Sequence, residues 1–203
     1  MNKLGEINNL SKILKPNIGI ITNIGEAHLG NLGSVNNIAK AKSEIIKNII
    51  KNGAIILNRD CRFYEKLKKI SQYNKLKILS FGSNVRSTIS YKILSLNIVQ
   101  IKLRNKIFKL KLKNNNSNNI ENILVCFLVL NYLNLNINLA KIILKNIRSV
   151  RGRGNIIKID KNITIIDDSY NSNPVSLKKS ISEFCDFKTK KRKILVLGDM
   201  LEL

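Results

Sequence analysis

The chain of 203 residues has no tryptophan, two prolines, one histidine and three cysteines. It carries only 13 acidic residues against 36 lysines and arginines. Each scarcity excludes something. Cys61, Cys126 and Cys185 lie far apart, form no C-x-x-C pair and have no histidine near them in sequence. That spacing gives no disulfide framework and predicts free, buried thiols in a reducing compartment. No apolar run is long enough to span a bilayer: the longest, Ile123 to Leu130, is far too short. The first residues include Glu6 and no apolar core of a leader peptide, so a cytoplasmic protein is expected. The net charge of +23 raises the question of a nucleic-acid partner. The excess is spread over every segment beside asparagine and isoleucine, as a bias toward A/T-rich codons would produce. Aromatics are 5% of the chain, and no basic cluster is interleaved with them. The one dense cluster, Lys188 to Lys193, reads as a linker. A nucleic-acid partner is therefore not expected, and a basic RNA-binding module stays only as a rival reading. Nowhere in the 203 residues is there a G-x-x-x-x-G-K-[ST] loop to cradle a phosphate.

What is present is organised around residues 17–50. The β-branched run Ile18 to Ile24 predicts a buried strand. A glycine-rich turn with the lone His28 follows. Ser34 reads as an N-cap for a helix from Val35 to Ile50. An open α/β sheet places its ligands in such a strand-to-helix loop. The apolar stripe of this helix runs through Val35, Ile38, Ala39, Ile45, Ile46, Ile49 and Ile50, and its member after Val35, Ile38 and Ala39 falls at Lys42. Burial disfavours an ammonium and lowers its pKa, which frees the amine for chemistry such as carbamate formation with carbon dioxide. The same spacing also suits a lysine that snorkels to water or meets a carboxylate.

The rest of the chain supplies the layers. Gly53 to Asn58 and Ile78 to Phe81 read as strands, with a helix over Cys61 to Ser71 capped by Asp60 between them. This alternation implies a parallel sheet with helices on its faces. From Thr88 to Leu112 the period falls to two, with a tight turn at Arg104-Asn105, which predicts an antiparallel meander forming a small second sheet. Asn118 and Glu121 have capping-box spacing for an apolar helix from Asn119 to Leu133, and a further helix is expected over Leu139 to Ile147. Two short strands, Ile156 to Ile159 and Ile163 to Ile166, lead to DDSYNSNP at residues 167–174. There Asn173 is the expected N-cap, with Pro174 at the first helical position and a buried stripe of Val175, Leu177, Ile181, Phe184 and Cys185. The fold class is α/β: a mostly parallel sheet flanked by helices, with a small antiparallel sheet.

Four blocks in order resemble one family. GEAHLGNLGS (residues 25–34) followed by IAKAKSEI (38–45), NNIEN (118–122), RGRG (151–154) and DDSYNSNP together are similar to the Mur ligases. These are the ATP-dependent enzymes that add amino acids to the peptidoglycan precursor. The last block resembles the branch that adds D-Ala-D-Ala. The resemblance implies an ATP-dependent carboxylate–amine ligase that joins D-Ala-D-Ala to UDP-MurNAc-tripeptide through an acyl phosphate, with Mg2+. It implies His28 and carbamylated Lys42 as metal ligands and Arg153 facing the ATP phosphates. It further implies nucleotide contacts from Asn119, Asn122, Asp168, Tyr170, Asn171 and Asn173. Asn118 stands where the family has histidine, Asn116 where it has glycine, and Arg151 where it has proline. Residues 1–187 would be a central ATP-binding domain without its phosphate-loop strand. Residues 188–203 would be a linker and the first strand of a Rossmann-like domain, with Ile194 to Leu197 in that buried strand. On this reading the 203 residues alone are inactive. The alternative is a non-catalytic subunit that complements a separate chain carrying the phosphate loop.

Overall fold

The computed structural model describes residues 2–26, 29–95, 98–112, 120–138 and 151–200. Its centre is a six-stranded sheet: β1 (Ile18–Ile21), β2 (Ala54–Asn58), β3 (Lys77–Gly82), β4 (Ile89–Ser95), β5 (Ile98–Leu103) and β6 (Lys106–Lys111), in that spatial order. β1 to β4 are parallel, and β4 to β6 are antiparallel. The meander expected as a second sheet therefore continues the first one. The reason is local. β4 pairs with β3 only at Phe81–Ile89 and Gly82–Ser90, so it extends the sheet past the end of β3 and offers its other edge to β5. The small antiparallel sheet lies later, where β7 (Asn155–Lys158) pairs with β8 (Thr164–Asp167).

β2 is buried at every residue, as a strand covered on both faces should be. One face is covered by α2 (Leu29–Leu32), α3 (Val35–Ser43) and α4 (Tyr64–Tyr73), in a core of Ile38, Ala41, Ile46, Ile55, Leu57, Tyr64 and Leu67. The other face is covered by α5 (Ile120–Tyr132), where Leu124, Phe127 and Leu128 meet Ile56, Phe81, Ile89 and Ile101. Fully burying each such side chain is worth about 1.5–3 kcal/mol relative to leaving it in water.

The helix expected over residues 35–50 is α-helical only to Ser43 and tightens to a 3-10 helix over Glu44–Asn48. Glu44 is diverted into tertiary work. Its carboxylate accepts from the backbone N–H of Gly5 (2.7 Å) and Asn8 (3.0 Å) at the start of α1 (Glu6–Leu14). An anion at the positive end of a helix is favourable there. Ser34 does cap α3, accepting from the Asn37 amide at 3.2 Å. Asn173 caps α6 (Pro174–Asp186) in a reciprocal box with Ser176. The stripe of α6 is less deep than expected. Leu177, Ile181 and Phe184 are half-buried and Cys185 is exposed. The cysteines are free, yet Cys126 and Cys185 are exposed and Cys61 is half-buried, so the buried-thiol expectation fails. The run Ile194 to Leu197, expected as a buried strand, is exposed and pairs with no strand among the described residues. The expected helix over 139–147 and the Asn118 cap lie outside the described residues. No described helix is long and apolar enough to cross a membrane.

Candidate functional site

The carboxyl ends of β1 to β3, beside the start of β4, form the rim where a sheet of this kind meets a ligand. Lys42 reaches that rim from α3. Its position in the apolar stripe leaves it half-buried, and its Nζ donates to the carbonyl of Asn23, just past β1, at 2.8 Å. Among the open alternatives, the lysine thus meets a backbone carbonyl rather than a carboxylate. Burial pushes its pKa below the usual 10.5, while the nearby Cys61 thiol opposes that shift.

On the α5 side of the rim, Asn58 ends β2 and is buried. Its Nδ2 donates to Glu121 in the first turn of α5 at 3.4 Å, and its Oδ1 accepts from the Asp60 amide at 2.9 Å. Burial raises the Glu121 pKa, with Lys179 of α6 and Asn58 pulling the other way. Burial also raises the Tyr91 pKa, with Glu121 and Asp60 adding to it. Asp60 does not cap α4. That helix begins at Tyr64, and the Asp60 carboxylate instead accepts from the amides of Ser83 (2.5 Å) and Asn84 (3.1 Å). Gly82 makes this possible: at φ +146° a Cβ there would meet the Asp60 carboxylate at 2.6 Å.

The two late motifs meet. The Tyr170 amide donates to the Gly152 carbonyl at 3.1 Å, and a Cβ on Gly152, whose φ is +74°, would meet Tyr170 at 3.0 Å. This staple sets the Arg153 guanidinium 4.4 Å from the centre of the Tyr170 ring. Beside it, Asp167 accepts from the Ser169 hydroxyl (2.6 Å) and amide (3.2 Å), bonds that hold its carboxyl below the usual range. Asp168 accepts from Ser180 of α6. Arg153, Tyr170, Asp168 and Asn171 are all exposed. Asn173 spends its side-chain oxygen on the Ser176 amide, which leaves its NH2 for a ligand. Asn122 is exposed on the first turn of α5.

His28 and Asn119 lie outside the described residues. No hydrogen bond or ion pair among the described residues joins Lys42 to Arg153. No described cluster of three histidine, cysteine, aspartate or glutamate side chains is arranged to hold a metal. The Lys42 ammonium repels a cation and fits one only after conversion to a carbamate, for which its burial is the right setting. Sequence reasoning passed over Asn58 and gave Glu121 and Asp60 only capping duties. The available signal was a polar residue closing an apolar strand, Asn58 after Leu57, at the carboxyl end of a parallel sheet.

This geometry defines an α/β domain whose polar and titratable side chains Lys42, Asn58, Asp60 and Glu121 gather at the carboxyl ends of its parallel strands. Known sequences and structures narrow it. A family model described as "Mur ligase middle domain" matches residues 1–130, and one described as "Mur ligase, glutamate ligase domain" matches residues 152–203. The chain belongs to the Mur ligase family. It is 36% identical to the UDP-N-acetylmuramoyl-tripeptide–D-alanyl-D-alanine ligase of Rickettsia prowazekii over 214 residues, covering 100% of this chain and 46% of the relative. It superposes on a crystal structure of MurF from Acinetobacter baumannii with a TM-score of 0.89 at 26% identity, covering 100% of this chain and 44% of that one. It also matches a MurF ligase from Thermotoga maritima solved with ADP, with a TM-score of 0.76, 25% identity and coverage of 93% and 44%. The chain thus spans less than half the length of the relatives it matches.

Proposed function

We propose that these residues are the ATP-handling middle of a ligase that joins D-Ala-D-Ala to UDP-MurNAc-tripeptide in peptidoglycan precursor synthesis, in the cytoplasm. The observation that carries this reading is the Gly152–Tyr170 staple. It converts two separate motifs into one exposed surface with a guanidinium on an aromatic ring and a carboxylate beside it. Arg153 would neutralise phosphate charge. Tyr170, Asn171, Asp168 and the Asn173 amide would line the nucleotide, with Asn119 and Asn122 at the head of α5. Mg2+, held by His28 and carbamylated Lys42, would supply charge neutralisation at the transferring phosphoryl group. Residues 1–187 would form the central domain and 188–203 a linker into the next one. Photolabelling the polypeptide with 8-azido-ATP and mapping the peptides tests the nucleotide assignment. Label is expected within residues 120–132 and 167–178. Label confined to other segments, or none that unlabelled ATP suppresses, would overturn it.

One observation favours a second reading, a subunit completed by a separate chain that carries the phosphate loop. β1 stands at the sheet's edge, and α1 holds Leu10 and Ile13 at 68% and 84% exposure. A sheet edge that no described strand covers, and exposed apolar side chains on α1, are surfaces that a further strand and helix would cover.

A further inference from the structure

On the α4 face of the same rim lies a cleft of about 310 Å3 lined by Arg59, Cys61, Arg62, Tyr64, Glu65, Asn84 and Arg86. It is built by two loops locked together. After β2, the Arg59 amide donates to the Phe81 carbonyl at 2.8 Å, so this residue stays in register beside β3. After β3, the Asp60 carboxylate holds the Ser83 and Asn84 amides, which fixes the loop that carries Arg86. The Arg59 Nη1 then bridges the loops, donating to the Arg86 carbonyl (3.0 Å) and the Tyr64 hydroxyl (3.4 Å), with its guanidinium 5.1 Å from the Tyr64 ring centre. Arg59 thereby spends one of its nitrogens on the protein, and the fork keeps its Nη2 and Nε donors. The Tyr64 hydroxyl, having accepted one bond, has a proton to donate. Asn84 accepts the Arg86 amide through Oδ1 at 2.9 Å, which leaves its NH2 available. The sole carboxylate of the lining, Glu65, is paired with Lys68 at 3.7 Å.

Three guanidinium groups, a phenol and an amide around one cleft, with one carboxylate already paired, present donors and almost no acceptors. We infer that this cleft is an oxyanion-binding site that takes the diphosphate group of a nucleotide or nucleotide-sugar. Guanidinium forks meet phosphoryl oxygens in paired, charge-assisted hydrogen bonds, and a diphosphate offers enough oxygens for more than one fork. The site stands on its own residues and does not require the ligase reading. It shares no side chain with the Arg153–Tyr170 surface.

Inorganic pyrophosphate is the probe, at about 0.15 M salt so that long-range attraction to the basic chain is screened. Cys61 gives a local readout, because it is a free thiol in the cleft while Cys126 and Cys185 are exposed elsewhere. Pyrophosphate is expected to slow alkylation of Cys61 severalfold and leave the other two unchanged. Arg86→Gln and Arg59→Gln should each weaken pyrophosphate binding by about tenfold, the scale of one charge-assisted pair. Lys106→Gln, which removes the same charge at the β5–β6 turn, should change it less than about twofold. Arg86→Gln keeps the test sound if Arg59→Gln fails to fold, since the Arg86 side chain bridges neither loop. Equal losses in all three variants, or no protection of Cys61, would overturn the site. Displacement by UDP assigns the diphosphate to a nucleotide-sugar and displacement by ATP to the nucleoside triphosphate. Displacement by neither would overturn the nucleotide assignment.

Discussion

Lys42 shows how one side chain in the wrong stripe becomes chemistry. Its burial lowers the folded pKa, so the unfolded chain binds the proton more tightly. Across the interval between the folded pKa and 10.5, stability rises with pH, and below that interval the full cost of the buried ammonium is present. The neutral amine is also more abundant near neutral pH than in an ordinary lysine. Incubation with 13C-bicarbonate should therefore give a carbamate carbon signal by NMR that fades as the pH falls and is missing in Lys42→Arg. A spectrum identical in parent and variant would remove Lys42 from the proposed metal site. Glu121 titrates in the opposite sense. Its folded pKa lies above the usual 4.5, so its contribution is fully present below 4.5 and is lost as the pH rises through the folded value. Glu121→Gln should melt higher than the parent at pH 7, and the gap should close on acidification toward pH 4. Lys42 was legible from helical spacing alone. Glu121 was not, because its buried partner Asn58 lies 63 residues away and no local pattern reports a contact of that range.

Several elements were legible from an uninterrupted period, two helices were misplaced where a side chain is diverted to a distant backbone, and the apolar run Ile194 to Leu197 misled because no described strand pairs with it. β2, β3, α5 and the β5–β6 turn follow local apolar spacing and turn chemistry, and each lies within a residue or two of its expected place. The helix after Ser34 tightens early because Glu44 serves α1, and α4 starts late because Asp60 serves the loop after β3. The meander's place in the main sheet was hidden as well, since alternation reports a strand but not its neighbour. Asp60→Ala isolates one such diversion. It leaves the Ser83 and Asn84 amides without their acceptor and should cost about 1–3 kcal/mol, read as a lower denaturant midpoint with an unchanged slope. Gly152→Ala probes the other junction. It forces a side chain into a left-handed backbone and against Tyr170, with an expected loss of about 1–3 kcal/mol. Faster amide exchange at Tyr170 than at Phe184 would localise that loss to the staple, and equal acceleration at both would place it in α6 instead.

At the scale of the whole molecule, the chain offers one surface proposed for nucleotide and one cleft proposed for diphosphate, yet the 203 residues hold no G-x-x-x-x-G-K-[ST] loop. In the proposed function Arg153 would neutralise phosphate and carbamylated Lys42 would hold Mg2+, but a phosphate-cradling loop supplies backbone donors that neither side chain replaces. Among the described residues β1 is an end strand and α1 exposes Leu10 and Ile13, surfaces that the proposed second reading would have a loop-bearing piece cover. The purified polypeptide is therefore expected to release no ADP above background with ATP, Mg2+, UDP-MurNAc-tripeptide and D-Ala-D-Ala. A polypeptide bearing the phosphate loop, added in excess, should restore release that depends on both substrates. Restoration should fail with Ile20→Lys, which puts a charge on the edge strand where Ile20 is already partly exposed. ADP release by the 203 residues alone, dependent on both substrates, would show that the catalytic surface is complete without that loop and would reassign phosphate neutralisation to the arginines of the rim.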